Sequence, residues 1–414
     1  MVANQSGAVW VRRADGTIQK FPSADNDAAR GAALSGAFAL GTELRNSTVF
    51  LGPGTYVIPS PLRGWNGTKL WGSGKDATLV KLADGAVDRS YWVFRTVESE
   101  DPRTGYRFST DCELRDLTID ANRQHQLRGE FFGLGAQLLA TNATMSGVRC
   151  RNAGGNVPQE LFFLSCGAGG GVEGTFKTGE GKNCLIENCE IDGSAPPIDG
   201  VRSNITAIVL NGGFAPDPTV PGDGWETNGR IVDCTVHGIR DALALQAYQV
   251  SWASRVVVER CSVYDNGTNY TLGFYMDTGS LRSVSVSHNR YIDVDIGVRL
   301  ICDPTSIHMD TTIFANEMRI RSLVNGSGKA GMEYDGHNRT TRTRVIGNRI
   351  FLASSFPGAV GVSLGDQAEP FLLANTIDGF GIPMSLRGTL KATVRGNTDA
   401  NRIEVGRGLG NPVP

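Results

Sequence analysis

One short phrase recurs along this chain: two or three alternating apolar residues, then Asn, Cys or Asp, then a second alternating run. It reads Leu-Arg-Asp-Leu-Thr-Ile at Asp116, Gly-Val-Arg-Cys at Cys150, and Ile-Glu-Asn-Cys-Glu-Ile at Cys189. It returns at Cys234 and Cys261, and then at Asn289, Asn316, Asn348, Asn375 and Asn397. The last four intervals are 27, 32, 27 and 22 residues. A repeat of that length, built from short half-buried strands, is one coil of a solenoid. The fold class expected is all-β: a single right-handed parallel β-helix of about ten or more coils.

The repeated residue needs its own reason. Asn in a tight bend tolerates left-handed backbone angles and bonds to nearby peptides. Stacked Asn side chains can also bond to one another from coil to coil. Cys fills the same inward slot as a small apolar residue. Cys150, Cys189, Cys234 and Cys261 are therefore expected as a buried stack, with Asp116 opening the series. The eight cysteines form no CxxC pair and no zinc-ribbon spacing. Packing accounts for them better than a metal, redox chemistry or a disulfide framework.

Fifty-three glycines in 414 residues fit a chain of many turns. The net charge of −2 gives no electrostatic case for nucleic acid or an anionic membrane as partner. No apolar run approaches the roughly 20 residues of a membrane span. The N-terminus lacks a basic segment followed by an apolar one. The place expected is extracellular or on a virion, with no signal peptide visible.

Residues 1–45 read as an N-terminal cap, 46–405 as the solenoid and 406–414 as a tail. Asp25, Asn26 or Asp27 can cap a helix through about Leu40, with Ala29, Ala33, Leu34 and Phe38 on its inner side. Thr48 to Ile58, containing Pro53-Gly54-Thr55-Tyr56, reads as strand, turn, strand. Together with Leu70-Trp-Gly-Ser-Gly74, this opening resembles that of the pectate lyase-like superfamily. The Asn series resembles the second turn of the same superfamily. The resemblance covers about residues 20 to 400 and implies the fold more strongly than any one activity, because that superfamily holds lyases, glycoside hydrolases, epimerases and phage tailspikes.

Taking the repeated residue as the second turn places the first-sheet strands. They are Ala207–Asn211, Ala242–Gln246, Gly273–Asp277, Gly297–Ile301, Gly331–Asp335 and Gly361–Gly365. Ile208, Leu243, Phe274, Val298, Met332 and Val362 are expected to point inward. Tyr275, Arg299 and Glu333 would then form part of one outward column. Asn211, Gln246, Asp277 and Asp335 would belong to the next. Coils stack about 4.8 Å apart, which puts Asp277 and Asp335 roughly 9–10 Å from each other. That is the upper edge of the separation inverting glycosidases use to fit a water beside the sugar. Asp303, Asp366 and His337 fall just past the strand ends. The long loop Gly212–Gly229 carries Trp225 and Glu226, and Trp225, Tyr248 and Tyr275 offer ring faces to a sugar.

An outward charge on a solenoid is usually only solvated. Three carboxylates and one Arg within three coils are harder to dismiss, since such a cluster perturbs proton affinities. Three functions remain open. In a glycoside hydrolase, Asp277 and Asp335 share the acid and base roles, Glu333 can replace either, and Arg299 holds one ionised. In a polysaccharide lyase, Arg299 or Tyr275 neutralises or abstracts, and Asp277, Asp303 and Asp335 can hold Ca²⁺. The hydrolase needs no cofactor. The paired-Asp and Gly-His-Gly signatures of polygalacturonases and the Arg-x-Pro-x-x-Arg of pectate lyases are absent. In a glycan-binding or tailspike-like adhesin, the same groove binds a polysaccharide uncut. The assembly expected is a monomer or a homotrimer.

Overall fold

The computed structural model describes residues 7–86, 92–96, 98–101, 105–107, 109–126, 132–155, 160–167, 181–194, 202, 204–212, 227–240, 242–251, 253–276, 281–302, 308–321, 330–336, 342–365, 369–387 and 392–399. Three parallel sheets wind around one continuous apolar core. In a representative coil, the first sheet uses Thr271–Met276, the second Ser285–Ser287 and the third Arg290–Val294. Each strand pairs in parallel with its equivalents one coil away. Among the described residues, no helix is long and apolar enough to cross a membrane.

The cap forms as its sequence dictates. Asn26 caps the helix Asp27–Phe38, its side chain accepting from the Ala29 amide at 2.8 Å. Ala33, Leu34, Ala37 and Phe38 are buried against the first coils. Gly31 is required there, since a Cβ would sit 1.7 Å from the Val57 carbonyl oxygen. Val9–Arg12 pairs antiparallel with both Ile18–Phe21 and Thr48–Leu51, which closes the end of the solenoid.

The ladder differs in two details from the sequence reading. Asn289, Asn316, Asn348, Asn375 and Asn397 do stack, each Nδ2 donating to the next Oδ1 at 2.8–2.9 Å. The same amides also donate to a strand carbonyl of the preceding coil, as Asn289 does to Val258 at 3.0 Å. Cys189, Cys234 and Cys261 continue the stack, with Sγ directed at the equivalent carbonyls, 3.6 Å away in each case. Asp116 and Cys150 are not members. Their coils place Leu117 and Val148 in the slot, and Cys150 lies two residues on, paired with Ile191 in the third sheet. The left-handed residue is also not the ladder residue but the one before it. Asp116, Gly147, Asn188, Asp233, Arg260, His288, Ala315, Gly347, Ala374 and Gly396 all have φ between 50° and 63°. The strain is thus borne where the side chain points outward, and the ladder residue keeps ordinary angles.

Cys112, Cys150, Cys166, Cys184, Cys189, Cys234 and Cys261 are free and buried. Burial pushes the Cys112 thiol up to about 11, and those of Cys150, Cys189 and Cys234 further still. These are packing residues, inert as nucleophiles.

Candidate functional site

A strand enters the first sheet through a tight corner. Gly135, Ala207, Ala247, Gly273, Gly297, Gly331 and Gly361 occupy that corner in their coils. A Cβ at Gly297 would lie 2.4 Å from Met318 Sδ and 2.7 Å from the Gly331 carbonyl oxygen, so backbone packs directly on core side chains there. The corner residue and its successor both face inward, as Gly273 and Phe274 do. Alternation resumes only afterward.

This corner corrects one expected strand. Ala242–Gln246 is not the first-sheet segment of its coil. The strand is Ala244–Ser251, in which Ile208 pairs with Tyr248 and Val209 with Gln249. Leu243 is exposed, and Tyr248 and Val250 take the inward places. Gln246 pairs with Thr206, whose Oγ1 donates to Gln246 Oε1 at 2.9 Å, ahead of the corner and outside the expected column. Tyr248 cannot stack on a sugar. It is fully buried, and its hydroxyl donates to the carbonyls of Cys234 and Ser262 at 2.8 and 2.9 Å.

The remaining strands have the expected register. Phe274, Val298, Met332 and Val362 align, and so do Tyr275, Arg299, Glu333 and Ser363. The outward column runs Arg63, Arg95, Gln137, Ser165, Val209, Gln249, Tyr275, Arg299, Glu333, Ser363, Ser385. Arg63 and Arg95 are half-buried, and the next four members, Gln137, Ser165, Val209 and Gln249, are covered, at 1, 1, 2 and 3% exposure. From Tyr275 onward the column is half-buried and open. The change marks where this face of the first sheet becomes accessible.

At that opening Arg299 Nε lies 3.1 Å from Glu333 Oε2, with side chains 28 and 31% exposed. Tyr270, just before the strand Thr271–Met276, packs beside them. Burial raises its phenol above the usual range, against the Arg299 guanidinium, which also hydrogen-bonds it. Gln249 closes the other end, its Nε2 donating to Ser251 Oγ at 3.1 Å. Behind the strand entry, Asp295 is buried and paired with Arg321, and it accepts from the Thr271 amide at 2.7 Å. These bonds fix the segment from which Tyr270 projects. Sequence reasoning missed both Tyr270 and Gln249. Ala247-Tyr248, matching Ala207-Ile208, is the signal that could have set the Gln249 register; no pattern marks Tyr270.

Asn211 lies in the next column, paired with Ser251 rather than with Gln246. Asp335 pairs with Ile301 in the strand Ala330–Gly336, two residues beyond Glu333. Asp277 follows Met276, the last described residue of its strand, and lies outside the described residues. So do Trp225, Glu226, Asp303, His337 and Asp366. Among the described residues, no group of His, Cys, Asp and Glu gathers to hold a metal ion.

Solved structures share this architecture. A mannuronan C-5 epimerase A-module from Azotobacter vinelandii superposes with a TM-score of 0.53 at 15% identity, over 95% of this chain and 98% of that one. The chain is a right-handed parallel β-helix. A tailspike protein of an E. coli bacteriophage, solved with a pentasaccharide, shares the β-helix with a TM-score of 0.54 at 12% identity. The match spans 94% of this β-helix but 65% of the tailspike, just under two thirds of its length. A surface adhesin of Streptococcus pneumoniae gives 0.50 at 14%, over 94% of each chain. By sequence, no family model and no curated protein matches. At these identities the likeness is one of fold.

Proposed function

We propose that this β-helix acts on a polysaccharide laid along its first sheet, and that it cleaves the chain by hydrolysis. The observation that carries the reading is the opening of this face at Tyr275, Arg299 and Glu333, where an ion pair and two tyrosines meet on successive coils. Coils repeat every ~4.8 Å, close to the length of one pyranose, so an extended glycan meets an equivalent outward position at each sugar. The name of the epimerase and the bound pentasaccharide of the tailspike support a glycan as ligand.

In hydrolysis one carboxylic acid protonates the glycosidic oxygen as the C1–O bond breaks, and one carboxylate takes a proton from the water that bonds to C1. Asp277 and Asp335 are assigned these roles, with Glu333 able to replace either. Arg299 pairs with Glu333 and binds sugar hydroxyls. A second reading is favoured by Tyr270 lying against Arg299. In β-elimination Arg299 would neutralise a uronate carboxylate while a tyrosine handles the proton, with or without Ca²⁺.

Product analysis separates the readings. The chain is incubated with a panel of neutral and acidic polysaccharides, with and without EDTA, and new reducing ends and unsaturated uronates are both followed. Reducing ends without unsaturation support hydrolysis. Unsaturated products replace it with elimination, and their loss in EDTA adds Ca²⁺. Saccharide binding with no product in either channel removes cleavage and leaves an adhesin.

A further inference from the structure

A second concavity, of about 530 Å³, lies on the third sheet, a different face of the solenoid. Its walls are Arg290, Asp293, Glu317, Arg319, Arg349 and Phe351, together with Ala353. Arg290, Glu317 and Arg349 stack in one outward column on consecutive coils, and Ile292, Arg319 and Phe351 stack in the next. A β-bulge between Ile292 and Val294 places Asp293 in a left-handed conformation, φ 56°, at the rim. Bulges of this kind re-aim side chains and recur beside functional sites.

The charges here do not cancel within the site. Glu317 pairs with Arg319 at 3.0 Å and faces Arg290 at 3.6 Å. Arg349 meets no carboxylate among the described residues; its guanidinium lies over the Phe351 ring, 5.6 Å from the centroid. Arg290 and Arg319 remain 60 and 55% exposed despite their partner. The column that carries Phe351, and continues to Asp378 on the next coil, also carries rings further back. His237 and Tyr264 stack face to face at 5.2 Å, and Tyr264 is 42% exposed. Tyr264, Ile292, Arg319 and Phe351 occupy successive coils and make a lane ~14 Å long, about three sugars.

We propose that this lane is a second, non-catalytic binding track for an acidic polysaccharide. The exposed guanidiniums of Arg290, Arg319 and Arg349 engage sugar carboxylates, Tyr264 and Phe351 lie against pyranose faces, and Asp293 accepts from sugar hydroxyls. The ligand class rests on the polysaccharide reading of the first sheet; the site does not, since it shares no residue with that face.

The test is calorimetric titration of the full chain with a hexagalacturonate, at low salt, with cellohexaose and sodium sulfate as controls. The background is Asp335→Asn, so that ligand is not consumed. Arg319→Ala combined with Arg349→Ala is expected to weaken hexagalacturonate binding at least tenfold, while cleavage in the chain that keeps Asp335 stays unchanged. Phe351→Ala, which keeps all three charges, is expected to weaken it several-fold. Equal binding by the variants overturns the proposal, and so does a sulfate affinity matching that of the hexamer, which would mean an adventitious anion site. If the double substitution abolishes binding while no panel substrate is ever cut, the first-sheet reading falls and the track stands.

Discussion

Glu333 and Tyr248 answer to opposite tests at the residue scale. Glu333→Gln keeps size and loses charge, in a half-exposed position whose main described partner is Arg299. Turnover is expected to drop, with little change in thermal midpoint, because Arg299 loses the carboxylate that positions it beside the acid/base pair. Steady-state kinetics beside a melting curve checks both halves. Tyr248→Phe is expected to do the reverse. It removes the donor to the Cys234 and Ser262 carbonyls inside the core and costs about 1–2 kcal/mol by denaturant titration, leaving saccharide affinity unchanged. Glu190 supplies the pH test. Burial pushes its carboxyl up, but hydrogen bonds from Lys75, His237 and Arg149 outweigh this and hold it at about 2, against an ordinary 4.5. Its contribution is complete above pH 4.5 and is lost as pH falls from there toward 2. Glu190→Gln should flatten the stability profile across that window, and a slope unchanged from the native chain would refute the assignment. Tyr248 also shows why sequence legibility fails locally. Ala242 to Gln246 alternates as well as any strand, yet the corner at Ala247 resets the alternation, and only the tertiary bend reveals it.

At the element scale the turn and the corner carry the fold. Asn348→Ala removes donors to Ile313 O and Asn375 Oδ1 and strands the Asn316 amides, so a cost of about 3 kcal/mol is expected. Cys234→Ala in the same column forfeits only a weak donor and a small volume, about 1–2 kcal/mol. Urea titration of both variants measures the contrast, and equal costs would deny that the Asn stack is a bonded ladder. Gly297→Ala should destabilise by about 1–3 kcal/mol, because its Cβ meets Met318 and the Gly331 carbonyl. The Asn ladder was legible because one residue type recurs at coil spacing from Asn289 to Asn397. Its N-terminal end was not, because Leu117 and Val148 are indistinguishable from ordinary strand residues. Asp116 looked like a ladder member for a sound reason, namely tolerance of positive φ, but that tolerance serves the preceding turn position.

For the whole molecule, the solenoid lays chemistry out in rows. Residues distant in sequence, Gln249, Tyr275, Arg299 and Glu333, become neighbours because each occupies the same place in its coil. That row, apart from Gln249, could be drawn from the sequence once the period was known. Where the row is covered and where it opens could not, since exposure is decided by what packs over it. The central claim is that a glycan runs along the open part of this row, parallel to the solenoid axis. Crystals of the Glu333→Gln chain, soaked with the longest oligosaccharide that the native chain releases, test it most directly. Sugar rings over Tyr275, Arg299 and residue 333, advancing about one ring per coil, are the result predicted. A saccharide seated only elsewhere on the molecule, or crossing the first sheet at right angles to its stacked coils, would contradict it.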